Sequence, residues 1–180
     1  MNKLLLIALI ILPTTLFAQR KLQFIGENID FELNKRTFSI NGIYYFLNNT
    51  ESEIERTILF PFSDNADSLH VIRTYNLSYL RNIDYKQQDN AISFKINVLP
   101  NDTVKINIAY TQKAEIKNVY ILKSTQTWGE ALKKASYSLT VDSSVLLDSL
   151  SLKPDEFKNN TYYWEKSNFY PDDNFKIWIK

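Results

Sequence analysis

AISFKINVLPNDTVKINIAYT, residues Ala91 to Thr111, is the stretch whose reading decides the fold. Ile92, Phe94, Ile96 and Val98 alternate with Ser93, Lys95 and Asn97. After Leu99-Pro100-Asn101-Asp102-Thr103 the alternation resumes, with Val104, Ile106, Ile108 and Tyr110 against Lys105, Asn107 and Ala109. A period of two marks strands with one buried and one wetter face. Pro-Asn-Asp is turn chemistry, because Pro presets φ while Asn and Asp bond their own backbone. The sequence predicts a hairpin in which Val98 meets Val104, Ile96 meets Ile106, Phe94 meets Ile108 and Ile92 meets Tyr110, all on one face.

The same alternation recurs on both sides of this stretch. Phe24 to Leu33 reads as a first strand. Phe38, Ile40, Gly42, Tyr44 and Phe46 share a face, and beyond Gly42 the other face is apolar too (Ile43, Tyr45, Leu47), as in a central strand covered on both sides. Ile54, Ile58, Phe60 and Phe62 form another set, with Pro61 marking an edge or a strand exit. Leu69, Val71, Arg73 and Tyr75 alternate, a weaker strand follows around Tyr79 to Tyr85, and Gln87-Gln88-Asp89-Asn90 turns. Residues 116 to 123, the set Ala135, Tyr137, Leu139 and Val141, then Tyr162 to Phe169 and Phe175 to Ile179 complete the series, the last two separated by Pro171-Asp172-Asp173-Asn174. Ser124 to Lys134 holds the helix-forming residues but is too short for more than a turn. With only three Gly, Asn takes over the turns: Asn48-Asn49, Asn101, Asn159-Asn160 and Asn174. The expectation is an all-β chain, an antiparallel β-sandwich of about ten short strands with no long helix after the signal peptide.

Met1 to Ala18 reads as that signal peptide. Lys3 supplies the positive start, Leu4 to Leu12 a nine-residue apolar run, and Leu16-Phe17-Ala18 a small-residue end, which puts cleavage between Ala18 and Gln19. Nine residues are about half of the roughly 20 that span a bilayer, so stable membrane insertion after cleavage is not expected. The remaining 162 residues, 19 to 180, suit a single domain with 20 basic and 20 acidic side chains. Neutrality argues against nucleic acid and against a polybasic membrane contact. Without cysteine, the chain has no disulfide, thiol nucleophile or thiolate ligand.

Candidate chemistry is sparse. His70 is the one histidine, which alone makes neither a His-based metal site nor a catalytic triad. Glu51, Glu53 and Glu55 lie on one strand face, where like charges repel, and read as a solvated edge. Asp172-Asp173-Asn174 offers three side chains where calcium takes six to eight oxygens. No catalytic, cofactor-binding or metal residue is expected, and no enzyme activity. Aromatics are plentiful: 3 Trp, 11 Tyr and 11 Phe. Trp128 sits beside Gly129 in a polar connection, Trp164 lies in an aromatic crowd near the C-terminus, and Trp178 is out of phase with Phe175, Ile177 and Ile179. These three are the candidate interaction surface, since exposed rings anchor contacts.

Two stretches carry a resemblance. NGIYYFLNNTESEIERTILFPF (41–62) has an Asn-x-Thr strand exit and a strand ending in Phe-Pro-Phe. NVYILKSTQTWGEALKKASYSLTV (118–141) has the Tyr-Ile-Leu, Thr-x-x-Trp-Gly and Lys-x-Ala-x-Tyr pattern. Together they resemble exported bacterial all-β proteins of uncharacterised function, over roughly Phe31 to Val141. The resemblance implies a fold and an export route and brings no catalytic residue. The expected role is an exported, non-enzymatic module, periplasmic or extracellular, for protein interaction or envelope structure. The alternative is a carbohydrate-binding module using surface aromatics. The partner is accordingly another protein or a glycan.

Mass spectrometry of the secreted protein is expected to find Gln19, in part cyclised, at its N-terminus. A mature chain that retains Leu4 to Leu12 refutes cleavage after Ala18.

Overall fold

The computed structural model describes residues 22–63 and 70–180; the signal-peptide reading and Leu69 fall outside them. Fourteen strands follow in chain order: β1 (Leu22–Leu33), β2 (Thr37–Asn48), β3 (Ile54–Pro61), β4 (His70–Asn76), β5 (Arg81–Asn82), β6 (Tyr85–Gln88), β7 (Ala91–Val98), β8 (Thr103–Lys113), β9 (Lys117–Tyr120), β10 (Leu132–Val141), β11 (Leu147–Leu150), β12 (Glu156–Lys158), β13 (Thr161–Phe169) and β14 (Phe175–Ile179). A single 3-10 turn, Lys123–Trp128, is the helical element among the described residues. The all-β expectation holds.

A large sheet has the order β12-β13-β10-β1-β2-β8-β4-β5. Two three-stranded sheets, β3-β7-β6 and β11-β14-β9, lie on its apolar face. Ring contacts fix that arrangement. Phe31 of β1 meets Tyr120 of β9 at 5.2 Å and Phe175 of β14 at 5.1 Å, while Tyr44 of β2 meets Phe60 of β3 at 5.1 Å. The two small sheets therefore share one face of the large one and leave a seam between them.

This differs from a simple antiparallel sandwich in two respects. β1 and β10 pair in parallel, with Gly26 opposite Lys134 and Leu33 opposite Val141, so the large sheet is mixed. The sheets are also open rather than matched one to one. Antiparallel neighbours can be joined by a short turn, whereas a parallel pair needs a long crossover. Here the crossover takes most of the chain, and local patterning carries no trace of it.

The hairpin expected at 91–111 is corrected as well. Both strands and the turn exist, and all eight in-phase residues from Ile92 to Tyr110 are buried. Yet β7 pairs with β3 and β6, whereas β8 pairs with β2 and β4. Val98 pairs with Ile54, not Val104, and Ile106 pairs with Tyr44 and Asn76, not Ile96. The connection is an arch from one sheet to the other, with the two apolar faces turned inward. Asn48 clamps it: its Nδ2 donates to the carbonyls of Ser52, Val98 and Leu99 at 2.8, 3.0 and 3.1 Å, and its Oδ1 accepts from the Thr50 hydroxyl at 2.7 Å. Asn101 takes a φ of 54° at the bend, and Asn159 and Asn160 adopt 50° and 61° at another, the left-handed geometry that glycine would otherwise supply.

Gln87-Gln88, read as part of a turn, lies in β6, and the short β11 and β12 help bring the count to fourteen strands where about ten were expected. Elsewhere the faces are largely as read, with two adjustments. The outward face of β2 (Ile43, Tyr45, Leu47) is half-buried rather than covered. In β4 a register shift between Val71 and Arg73 inverts the phase, so Thr74 and Asn76 are buried while Arg73 is exposed and Tyr75 half-buried. Polar side chains occupy that face because they are satisfied: Thr74 Oγ1 donates to the Ile83 carbonyl at 2.6 Å, and Asn76 Oδ1 accepts from the amides of Ser78 and Tyr79. Among the described residues β3 pairs on one side only, as Pro61 indicated.

Ile106 is fully buried in the middle of β8. Ile106→Ala is expected to cost about 2–5 kcal/mol in chemical denaturation, the range for truncating a large buried aliphatic. A loss below about 0.5 kcal/mol is the signature of a surface position and contradicts this placement.

Candidate functional site

The seam between the small sheets holds the unusual chemistry of the chain, and it begins with a β-bulge. Between Phe24 and Gly26 the register of β1 against β2 shifts by one residue. Before the bulge Leu22 and Phe24 point inward; after it Glu27, Ile29, Phe31 and Leu33 do. The extra residue in one strand reverses which face its successors occupy. Gly26 permits the close approach this needs, since a Cβ there would stand 2.6 Å from the Lys134 carbonyl oxygen of β10. The bulge thus delivers the carboxylate of Glu27 into the core, where its residue is 2% exposed.

Tyrosines from three strands surround that carboxylate. Tyr137 of β10 donates to Oε1 at 2.6 Å, and Tyr120 of β9 donates to Oε2 at 3.4 Å. Tyr44 of β2 lies 3.0 Å from the Tyr120 oxygen. With the one Tyr120 proton directed to Glu27, Tyr44 is the donor in that pair. Burial pushes the Glu27 carboxyl up from 4.5 to about 7, against the downward pull of the hydrogen bonds from Tyr137 and Tyr120. Burial, and then the neighbouring negative charges, raise Tyr44, Tyr110, Tyr120 and Tyr137 above the usual phenol range. These hydroxyls stay protonated and serve as donors.

Glu27, Tyr44 and Tyr120 line a cavity of about 60 Å³ at the seam. Phe24, Phe46 and Trp128 wall it on one side, with ring centroids 5.3 Å (Phe24–Phe46), 6.0 Å (Phe24–Trp128) and 5.4 Å (Phe46–Trp128) apart. Ile58 to Pro61 of β3 and the 3-10 turn close the rest. The Ser-Thr-Gln-Thr sequence explains that turn. Ser124, Thr125 and Thr127 each donate to the carbonyl three residues back, at 3.4, 2.8 and 2.7 Å, in competition with a regular helix. Gly129 ends it at a φ of 74°. Beyond Trp128 the cavity adjoins an open depression of about 680 Å³ along β3, lined by Leu22, Ile54 to Leu59, Thr127 and Trp128.

The three tryptophans proposed from sequence have separate places. Trp128 is half-buried at the wall shared by cavity and depression. Trp164 is 0% exposed, packs edge-on against Phe175 at 5.1 Å and donates Nε1 to the Leu152 carbonyl at 3.2 Å, so it is core rather than surface. Its phase in β13, opposite Tyr137 of β10, puts it on the covered face of the large sheet. Trp178 is half-buried on β14, opposite Ser149 and Lys117. His70 is exposed at the start of β4. Glu51, Glu53 and Glu55 are exposed, and Glu55 pairs with Lys95 at 2.8 Å. Asp173 pairs with Lys176, whose hydrogen bond holds its carboxyl below the usual range. Among the described residues no three His, Cys, Asp or Glu side chains come together. Glu27 is the site residue that no motif flags. Its one sequence signal is phase: it keeps step with Ile29, Phe31 and Leu33.

The chain matches no family model and no curated protein. Its fold does match solved structures. A protein described as nutrient-binding, from Legionella pneumophila, superposes with a TM-score of 0.67 at 12% identity, over 89% of this chain and 67% of its own. An M1 zinc metallopeptidase from Deinococcus radiodurans gives 0.55 at 10% identity, over 89% of this chain and 43% of its own. Native yeast LTA4 hydrolase gives 0.54 at 10% identity, over 87% and 29%. The chain thus spans less than half the length of the two enzymes. At such identities the likeness is one of fold.

The buried carboxyl makes stability depend on pH. Because the folded pKa of Glu27 lies above its unfolded one, the native state holds an extra proton between about pH 4.5 and 7. Stability from this group is present below pH 4.5, is lost as pH rises through about 7, and amounts to about 3 kcal/mol. Urea denaturation of wild type at pH 5 and pH 8 is expected to show that loss, and Glu27→Gln to remove most of it. Equal slopes in the two proteins rule out a raised Glu27.

Proposed function

We propose that this chain is an exported, non-enzymatic binding module of the periplasm or cell exterior whose recognition surface is the seam beside Trp128. The observation that carries this reading is the combination at the seam: an aromatic wall, a lone carboxylate floor and an adjoining open depression. Pockets with apolar walls and a few placed polar groups are suited to recognition. Glu27 is the one carboxylate lining the cavity, whereas glycoside hydrolysis in its usual form takes a pair. The depression runs beside the side of β3 that pairs with no strand among the described residues, an edge suited to meeting an extended partner segment. Leu59, 60% exposed, stands at its rim. The export element of the proposal rests on the N-terminal sequence.

The carbohydrate reading survives in one form. Trp128 lines the cavity together with Ser124 and Thr127, and an aromatic ring in a hydroxyl-bearing lining suits sugar stacking.

Retention of an envelope-protein fraction on immobilised protein is expected to fall roughly tenfold or more with Trp128→Ala or Leu59→Glu. Phe157→Ser, an exposed ring on β12 at the far edge of the large sheet, is expected to have no effect. Retention unchanged by both seam variants refutes this surface. A saturable, Trp128-dependent fluorescence response to a glycan panel replaces the protein partner with a sugar.

A further inference from the structure

Among the described residues, no cation pairs with the buried carboxylate of Glu27. Buried acidic groups are almost always paired, yet the two groups hydrogen-bonded to this one are neutral phenols. The groups facing it are Tyr137 from β10, Tyr120 from β9, Tyr44 from β2 and, at longer range, Tyr110 from β8. No Lys, Arg or His is among the residues that line the cavity. Two hydrogen bonds leave acceptor capacity on a carboxylate that has about four sites.

The surroundings describe what is missing. Phe24, Phe46 and Trp128, three mutually contacting rings, line the same cavity as the carboxylate, and a cation gains from nearby aromatic rings. The cavity, about 60 Å³, is on the order of twice the share of one water in the liquid, so it takes a small head group rather than a sugar ring. Tyr44 and Thr125 add hydroxyl oxygens to the lining, and an ammonium has three protons to donate. The adjoining depression along β3 has room for the remainder of a longer ligand.

We infer that the seam cavity binds the primary-ammonium end of a ligand, with Glu27 as counter-ion and Phe24, Phe46 and Trp128 as the aromatic wall. The inference rests on the binding reading above and adds the ligand class. The ammonium is the tip of a lysine-type side chain, a free amino terminus or a small alkylamine, which share one chemistry. Below about pH 7 the incoming cation displaces the carboxyl proton; above it, the site is already ionised.

Calorimetry and tryptophan fluorescence on the purified protein test this with four probes: n-butylammonium, Nα-acetyl-lysine amide, glycinamide and n-butanol. The first binds saturably and changes Trp128 emission, while n-butanol binds at least about tenfold more weakly. Lysine amide and glycinamide distinguish a side-chain ammonium from an amino terminus. Amine affinity falls toward about tenfold per pH unit below pH 7, with one proton released, and is level from there toward the amine's own pKa, about 10.4 for a lysine-type amine and about 8 for an α-amino group. Glu27→Gln abolishes both the preference and the pH dependence; Trp128→Phe keeps binding and Trp128→Ala weakens it. If Glu27→Gln does not fold, the pH profile and proton release of wild type carry the test alone. Equal binding of n-butanol and n-butylammonium, or affinity flat from pH 5 to 8, overturns the ammonium site. Trp128-dependent retention of a partner that persists with excess amine overturns the ammonium site and leaves the binding module standing. Absence of both overturns the two together.

Discussion

The approach of Gly26 to the Lys134 carbonyl is the constraint on which the rest of this structure depends. Without a side chain at residue 26, β1 takes up a bulge, runs alongside β10 and changes phase. Phe24 then remains with the aromatic wall, and Ile29, Phe31 and Leu33 supply the centre of the core. Glu27, next after the bulge, is turned to the same side. A carboxylate is carried into the interior by the geometry that places three large hydrophobes there. Desolvating a carboxylate is costly, and the tyrosines that offset it come from the partners of β1 on either side, β10 and β2, and from β9 above.

Much of the architecture was legible in the sequence because side-chain alternation reports burial directly. Most of the longer strands, the Pro61 edge, the asparagine turns and the short helical turn are found where the pattern put them, whereas the short β11 and β12 carry no alternation and Gln87-Gln88, which reads as a turn, belongs to β6. What alternation does not report is pairing. Two strands whose apolar faces look at each other across a core show the same pattern as two strands side by side, so Ile92 to Tyr110 read as a hairpin and form an arch. The parallel pairing of β1 with β10 joins residues more than a hundred apart and leaves no local mark. In β4, a register shift and well-satisfied Thr74 and Asn76 defeated a reading that equates apolar with inside.

The site was less legible still, for a related reason. A seam is a relation between sheets, visible only once their places are known. Trp128 was singled out by its polar connection and its glycine neighbour, and it does stand at the seam. Trp164 was singled out by its company of aromatics, which proved to be core packing. The structural neighbours share this fold at 10–12% identity. The seam chemistry must therefore be argued from the residues of this chain.

The arch between β7 and β8 has a consequence for the order of assembly. β1 with β2 and β6 with β7 are local hairpins, whose loops close cheaply. β7 and β8, adjacent in sequence, commit to different sheets, and β1 waits for β10 from across the chain. Such high contact order slows folding. Tyr137 arrives with β10, and Tyr120 and Trp128 shortly before it in sequence, so the pocket around Glu27 is assembled by late elements on an early one. A nascent chain presents Glu27 as an ordinary solvated carboxylate, and the seam exists only when the whole domain has closed.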